Sequence, residues 1–113
     1  MIRECKTKDN LDEILSVDSD QPVFLFKHSN ICPVSTAARD EFVLFANEEE
    51  RASFWQVLVR ENRDLSLEFA DRLNVTHQSP QVILLIKGRA VSDRSHQAIK
   101  LPQLRDMIAE FAV

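Results

Sequence analysis

The sequence predicts an α/β fold: a mixed four- to five-stranded sheet with helices on both faces. Three observations predict it. The apolar runs Val23–Lys27, Ser53–Val59 and Gln81–Lys87 are nearly continuous rather than alternating, as in strands covered on both faces. Segments with the apolar spacing of amphipathic helices separate these runs. Gly88, the only glycine in the chain, falls in Lys87-Gly88-Arg89, where a tight hairpin needs positive φ. From Val23 the order is β-α-β-α-β-β-α, after an N-terminal helix. Strands joined through helices pair in parallel with right-handed crossovers, and the final hairpin adds an antiparallel edge.

Taken in order, Ile2–Cys5 is a short edge strand. Asn10-Leu-Asp-Glu13 resembles a capping box and opens a short helix whose stripe is Leu11, Ile14 and Leu15. Gln21-Pro22 ends that region, and the strand Val23–Lys27 follows. A second helix runs from Pro33 to about Asn47, because proline suits the first helical position, where its missing N–H has no partner to lose. Its buried stripe is Val34, Ala38, Phe42 and Phe45. Cys32, Ser35, Thr36 and Arg39 fall on a separate stripe at i, i+3, i+4 and i+7. Glu48–Arg51 is a charged connector and Arg60–Asp64 a polar loop. Ser66 caps a third helix with Leu67, Ala70 and Leu73 inward, and Asn74 suits its left-handed end. Ala90–His96 returns from the hairpin. Pro102 opens a last helix bearing Leu101, Leu104, Met107, Ile108 and Phe111. Trp55 and the seven phenylalanines are read as core.

At 113 residues the chain reads as a single domain over 1–113, large enough to bury a core without disulfide staples. The formal net charge of −4, with scattered basic residues, argues against nucleic acid and anionic membranes. No charged-then-apolar start precedes a small-residue cleavage site, and the longest apolar run, near Val82–Ile86, is too short to span a bilayer. The expected setting is cytoplasmic. There, two cysteines do not form a disulfide framework, and a reactive one is catalytic or redox-sensing. Three histidines and two cysteines lack metal-ligand spacing, so no metal site is expected.

The chemistry centres on Cys32. It occupies the N-cap of the second helix, where unpaired first-turn N–H groups and the helix dipole favour a thiolate. Cysteines so placed titrate between about 3.5 and 7.5 rather than near 8.5. Pro33 has no N–H to offer, so the amides of Val34 and Ser35 are the donors. Ser35 stands where a dithiol enzyme has its resolving cysteine. A serine cannot form the second disulfide, but its hydroxyl can hydrogen-bond the thiolate or serve only as a first-turn residue. Arg39 shares the cysteine's stripe and is either a solvated helix arginine or a contact for a ligand carboxylate. His28 either pairs with the thiolate or is a polar strand end. Cys5 reads as a small buried hydrophobe, with a resolving role as the alternative.

The order of elements is thioredoxin-like. In that arrangement the loop before the third main strand, here Ser79-Pro80, comes beside the helix start and carries a cis proline. The Ser79 backbone can then pair with an extended substrate by strand addition. The segment Lys27-His-Ser-Asn-Ile-Cys-Pro-Val-Ser35, together with His77-Gln-Ser-Pro-Gln81 and Ser95-His96, resembles the monothiol bacilliredoxin family across nearly the whole chain. The resemblance identifies Cys32 with the family's active cysteine and Pro80 with its cis proline. It implies a cytosolic protein that reduces mixed disulfides between protein cysteines and bacillithiol. Two residues depart from the pattern: Ile31, where threonine is common, and Cys5, an extra thiol.

The mechanism expected from one motif cysteine is monothiol exchange. Cys32 takes the small thiol from an S-thiolated protein as a mixed disulfide, and a second bacillithiol or a reductase regenerates it. Pro33, Val34, Ser79 and Pro80 would bind substrate. No bound cofactor is expected; bacillithiol is the thiol co-substrate. Two alternatives stay open. One is a glutaredoxin-like protein using glutathione. The other is a non-catalytic thioredoxin-fold module that binds a peptide in the Ser79-Pro80 groove.

Overall fold

The computed structural model describes residues 1–111. Five strands form one sheet in the order β1-β3-β2-β4-β5, with β1 spanning Ile2–Glu4, β2 Val23–His28, β3 Ser53–Leu58, β4 Gln81–Ile86 and β5 Arg89–Ser95. The pairs β1–β3 and β2–β3 are parallel, and β2–β4 and β4–β5 antiparallel. This is the predicted mixed sheet with its hairpin edge.

Alternation along the strands sorts two cores. Phe24, Phe26, Phe54, Val82 and Leu84 face α2 (Pro33–Glu48) and α4 (Leu101–Phe111). Val23, Leu25, Trp55, Val57, Ile83 and Leu85 face α1 (Lys8–Leu15) and α3 (Arg63–Leu73). Every residue of β2 is buried, which explains its continuous apolar run. Its ring neighbours are close: Phe24 stacks on Phe54 at 5.5 Å and meets Phe45 edge-on at 5.1 Å.

Several boundaries differ from the sequence expectation, each for a local reason. Helix α1 starts at Lys8 rather than at Asn10, because Thr7 is the cap: its hydroxyl accepts the Asn10 N–H at 3.1 Å. Helix α3 starts at Arg63, inside the expected polar loop. Ser66 is not its cap but a buried residue of the first turn, whose hydroxyl donates to the Asn62 carbonyl at 3.1 Å. The inward face therefore carries Phe69, and Leu67 is 39% exposed. Asn74 has φ 55°, the expected left-handed end.

The hairpin turns through Lys87 (φ 53°) and Gly88 (φ 74°), so β4 ends one residue earlier than expected. A Cβ on Gly88 would strike the backbone carbonyl of Leu15 at the end of α1. The lone glycine thus serves both the turn and the packing of the hairpin under α1. Gly88→Ala is expected to lower stability by about 2 kcal/mol or more, since both positive φ and the carbonyl oppose a methyl group. The urea-unfolding midpoint of the variant measures this.

Candidate active site

Strand β2 ends at His28 and helix α2 begins at Pro33, so four residues span the junction, with Cys32 as N-cap. Cys32 is extended (φ −102°, ψ 120°), its side chain makes no capping bond, and its thiol is partly exposed. Its carbonyl accepts the Thr36 N–H at 2.9 Å and the Thr36 hydroxyl at 3.2 Å, which fixes the first turn. The Val34 and Ser35 N–H groups belong to the first turn, where no carbonyl of the same helix can reach them.

The expected separation of a reactive and a packing stripe on α2 does not hold. Ser35 is fully buried. Its oxygen accepts the Ser29 N–H at 2.9 Å and lies 2.7 Å from His28 Nδ1. Both hydrogen bonds go to the end of β2, and among the described residues none goes to Cys32. Burial, and after it the charge of Arg39, holds the His28 imidazole below its ordinary 6.5, so the ring is neutral where Nδ1 shares a hydrogen bond with the Ser35 hydroxyl. His28 stacks on Phe26 at 5.3 Å. Its partner is therefore Ser35 and not the thiol.

Arg39 is not a solvated helix arginine. Its Nε donates to Gln56 Oε1 at 2.9 Å, and Gln56 Nε2 donates to Glu4 Oε1 at 2.8 Å, so the guanidinium ties α2 to β3 and β1. Cys5 lies beyond β1, two strands from β2, fully buried among Leu11, Ile14, Val57 and Phe69. Burial, with Glu4 adding to it, pushes its thiol up to about 12. That is the small buried hydrophobe of the first reading, and the resolving alternative finds no exposed sulfur.

The Ser79–Pro80 bond is cis. Lys27 pairs with Gln81, so Pro80 comes opposite His28, at the sheet end where Cys32 lies. Pro80 is buried, and its carbonyl accepts the N–H of His96, which has φ 54° and opens a 3-10 turn, His96–Ala98. Ser79 Oγ is buried and has no hydrogen-bond partner among the described residues. Between α2 and the 3-10 turn runs a groove of about 260 Å³ lined by Pro33, Val34, Ala37, Ala38, His96, Gln97, Ile99 and Lys100. One wall starts directly after Cys32; the other is held by Pro80.

Sequence reasoning missed this second wall, because a 3-10 turn leaves no periodic signal. It also missed the buried Lys27 and Gln81 and the partly exposed His77 as a polar group. Their signal was available: lysine and glutamine stand at inward positions of otherwise apolar strands.

The arrangement matches known proteins. Residues 3–104 match the family described as monothiol bacilliredoxin BrxC. A solved structure described as a candidate oxidoreductase with a thioredoxin fold is 30% identical, with TM-score 0.83 over 93% of this chain and 91% of that one. Thioredoxin f from spinach chloroplast is 20% identical, with TM-score 0.79 over 99% and 87% of the two chains. Fasciola hepatica thioredoxin is 17% identical, with TM-score 0.79 over 96% and 98%. The last two share the fold.

Two expectations follow from the two cysteines and the buried histidine. Iodoacetamide on the native protein labels Cys32 and spares Cys5, and both react in denaturant; intact mass counts the adducts. The neutral His28 is favoured by folding. Its contribution is complete above about pH 6.5 and is lost as pH falls through the lower folded value. Unfolding midpoints taken at about pH 7 and pH 5 should therefore fall more in the wild type than in His28→Leu, which lacks the titrating ring.

With its match running over most of its length, the chain belongs to the monothiol bacilliredoxin family, and with it to the thiol oxidoreductases of thioredoxin fold.

Proposed function

We propose that this protein reduces mixed disulfides between protein cysteines and bacillithiol by a monothiol mechanism through Cys32, acting as a single domain in the cytoplasm. One observation carries the reading: the chain has two thiols, one partly exposed at a helix N-terminus and one sealed in the core. Such a molecule exchanges one disulfide at a time and has no internal partner to close a second.

In the first step the Cys32 thiolate attacks the bacillithiol sulfur of the S-thiolated protein. A Cys32–bacillithiol disulfide forms, the original disulfide breaks, and the protein sulfur leaves as a thiolate that takes a proton from water. In the second step the thiolate of another bacillithiol attacks the bacillithiol sulfur of that adduct. Bacillithiol disulfide leaves and Cys32 is restored as a thiolate. Summed over both steps, one bacillithiol thiolate is consumed: its sulfur passes from thiol to disulfide level as the protein sulfur passes from disulfide to thiol level, and a separate reductase would recycle the bacillithiol disulfide.

The residues divide the work. The first-turn amides of Val34 and Ser35 stabilise negative charge on Cys32 in both steps. Ser35 acts through its buried hydroxyl by holding the junction to β2, so it is a positioning residue. The Ser79 backbone pairs with the extended protein segment beside the disulfide. The unpartnered Ser79 hydroxyl gains a hydrogen-bond partner when that segment binds. The groove of about 260 Å³ that starts at Pro33 and Val34 lies beside Cys32 and is the place for the small thiol.

The test is intact mass after mixing the reduced protein with a model protein carrying a bacillithiol mixed disulfide, beside a glutathione-bearing control. The expected result is one bacillithiol gained by wild type and by Cys5→Ala, and none by Cys32→Ala. Equal transfer from the glutathione control would remove the preference for bacillithiol. No transfer from either would leave a binding module without turnover.

A further inference from the structure

The side chain of Lys27 is fully buried in the sheet face that carries Val23, Leu25 and Val57. Among the described residues it forms no ion pair. Its Nζ lies 3.2 Å from His77 Nδ1. An ammonium buried without a counter-charge costs free energy, and an apolar side chain would pack in the same place without that cost. Burial brings the lysine down to about 8, so it is still mostly protonated at neutral pH. Burial, then the charges of Lys27 and Arg63, lowers His77, which leaves its ring neutral and able to accept at Nδ1.

The neighbour of Lys27 in the sheet points the same way. Gln81, opposite it on β4, is also fully buried. Its Nε2 donates to the Thr76 carbonyl at 3.2 Å and to Asp93 of β5 at 3.1 Å, and its Oε1 accepts the Gln78 N–H at 3.3 Å. Two adjacent buried polar side chains at the end of the sheet thus hold three consecutive residues, Thr76, His77 and Gln78. Ser79 and Pro80 follow directly.

We propose that Lys27 is a positioning residue: its hydrogen bond to His77 fixes the Thr76–Pro80 segment as the docking edge for the protein half of the substrate. The inference rests on Cys32 being the exchanging thiol. It assigns Lys27 to the affinity for the protein portion and leaves the reactivity of the sulfur to the start of α2.

The test uses the full chain with Lys27→Met, which keeps the volume and apolar stem and removes the donor. His77→Ala, at a half-exposed loop position, removes the acceptor should the first variant fail to fold. In wild type the nitrogen spectrum should show His77 Nδ1 unprotonated and hydrogen-bonded, and Lys27→Met should lose that signature. Amide exchange at Gln78, whose N–H is bonded to Gln81 Oε1, should quicken by about tenfold in either variant. KM for the protein–bacillithiol mixed disulfide should rise about tenfold, while kcat and the Cys32 alkylation rate stay within about twofold. Slower alkylation with unchanged KM and amide exchange would overturn the proposal and place Lys27 with the sulfur. No change in any of these would also overturn it and make Lys27 structural. If the wild type transfers no small thiol, the exchange reading fails; amide exchange then decides alone whether Lys27 holds the segment.

Discussion

The site depends on the hydrogen bonds of one buried hydroxyl. Ser35 takes the Ser29 N–H and faces His28 Nδ1, so the first turn of α2 is fastened to the end of β2. Cys32 lies between these two fixed points, and its direction follows from theirs. A hydroxyl buried without partners would cost about 1–3 kcal/mol; here both partners are present, and the burial becomes rigidity. The position of a resolving cysteine in a dithiol protein holds a structural tie in this one.

Around that tie the sheet provides two different kinds of support. On the α2 side the aromatic cluster of Phe24, Phe26, Phe42, Phe45 and Phe54 fixes the helix by packing. On the α3 side the end of the sheet is polar, with Lys27 and Gln81 reaching up to the segment that ends in Pro80. The α2 half of the site thus has close-packed rings behind its Ser35 tie, whereas the other half relies on hydrogen bonds. Close-packed rings resist displacement in every direction, whereas hydrogen bonds to a surface segment can be exchanged one at a time. The substrate-facing half is the one with the looser kind of support.

Most of the fold was legible because the strands are short, apolar and evenly separated by helical periods, and because a single glycine marked the hairpin. Cys32 was legible because Pro33 announces a helix start. The errors come from places where a side chain's partner, whether a few residues back or far along the chain, does not show in a helical or strand projection. Ser66 has the right chemistry for a cap, yet Asn62 stands closer to the true helix start, and the hydroxyl turns back to its carbonyl. Ser35 reads as part of a solvent stripe on a helical projection, but the projection omits the loop that folds over it. Arg39 looks free until β3 brings Gln56 beside it. The partnership of Lys27 with His77 spans fifty positions and leaves no local pattern.

The sealing of Cys5 has a consequence for the life of the molecule outside its native state. While folded, the chain behaves as if it owned one thiol, because the other is fully buried in the core cluster with Leu11, Ile14, Val57 and Phe69. Once the chain opens, it owns two, joined by a flexible tether, and oxidation can close them into a ring. That ring would have to be reopened before β1 could pair with β3 again, since in the folded chain Cys5 follows β1 and Cys32 follows β2, and β3 lies between those two strands. The compact core therefore also acts as a chemical safeguard, keeping a catalyst of disulfide exchange from becoming its own substrate.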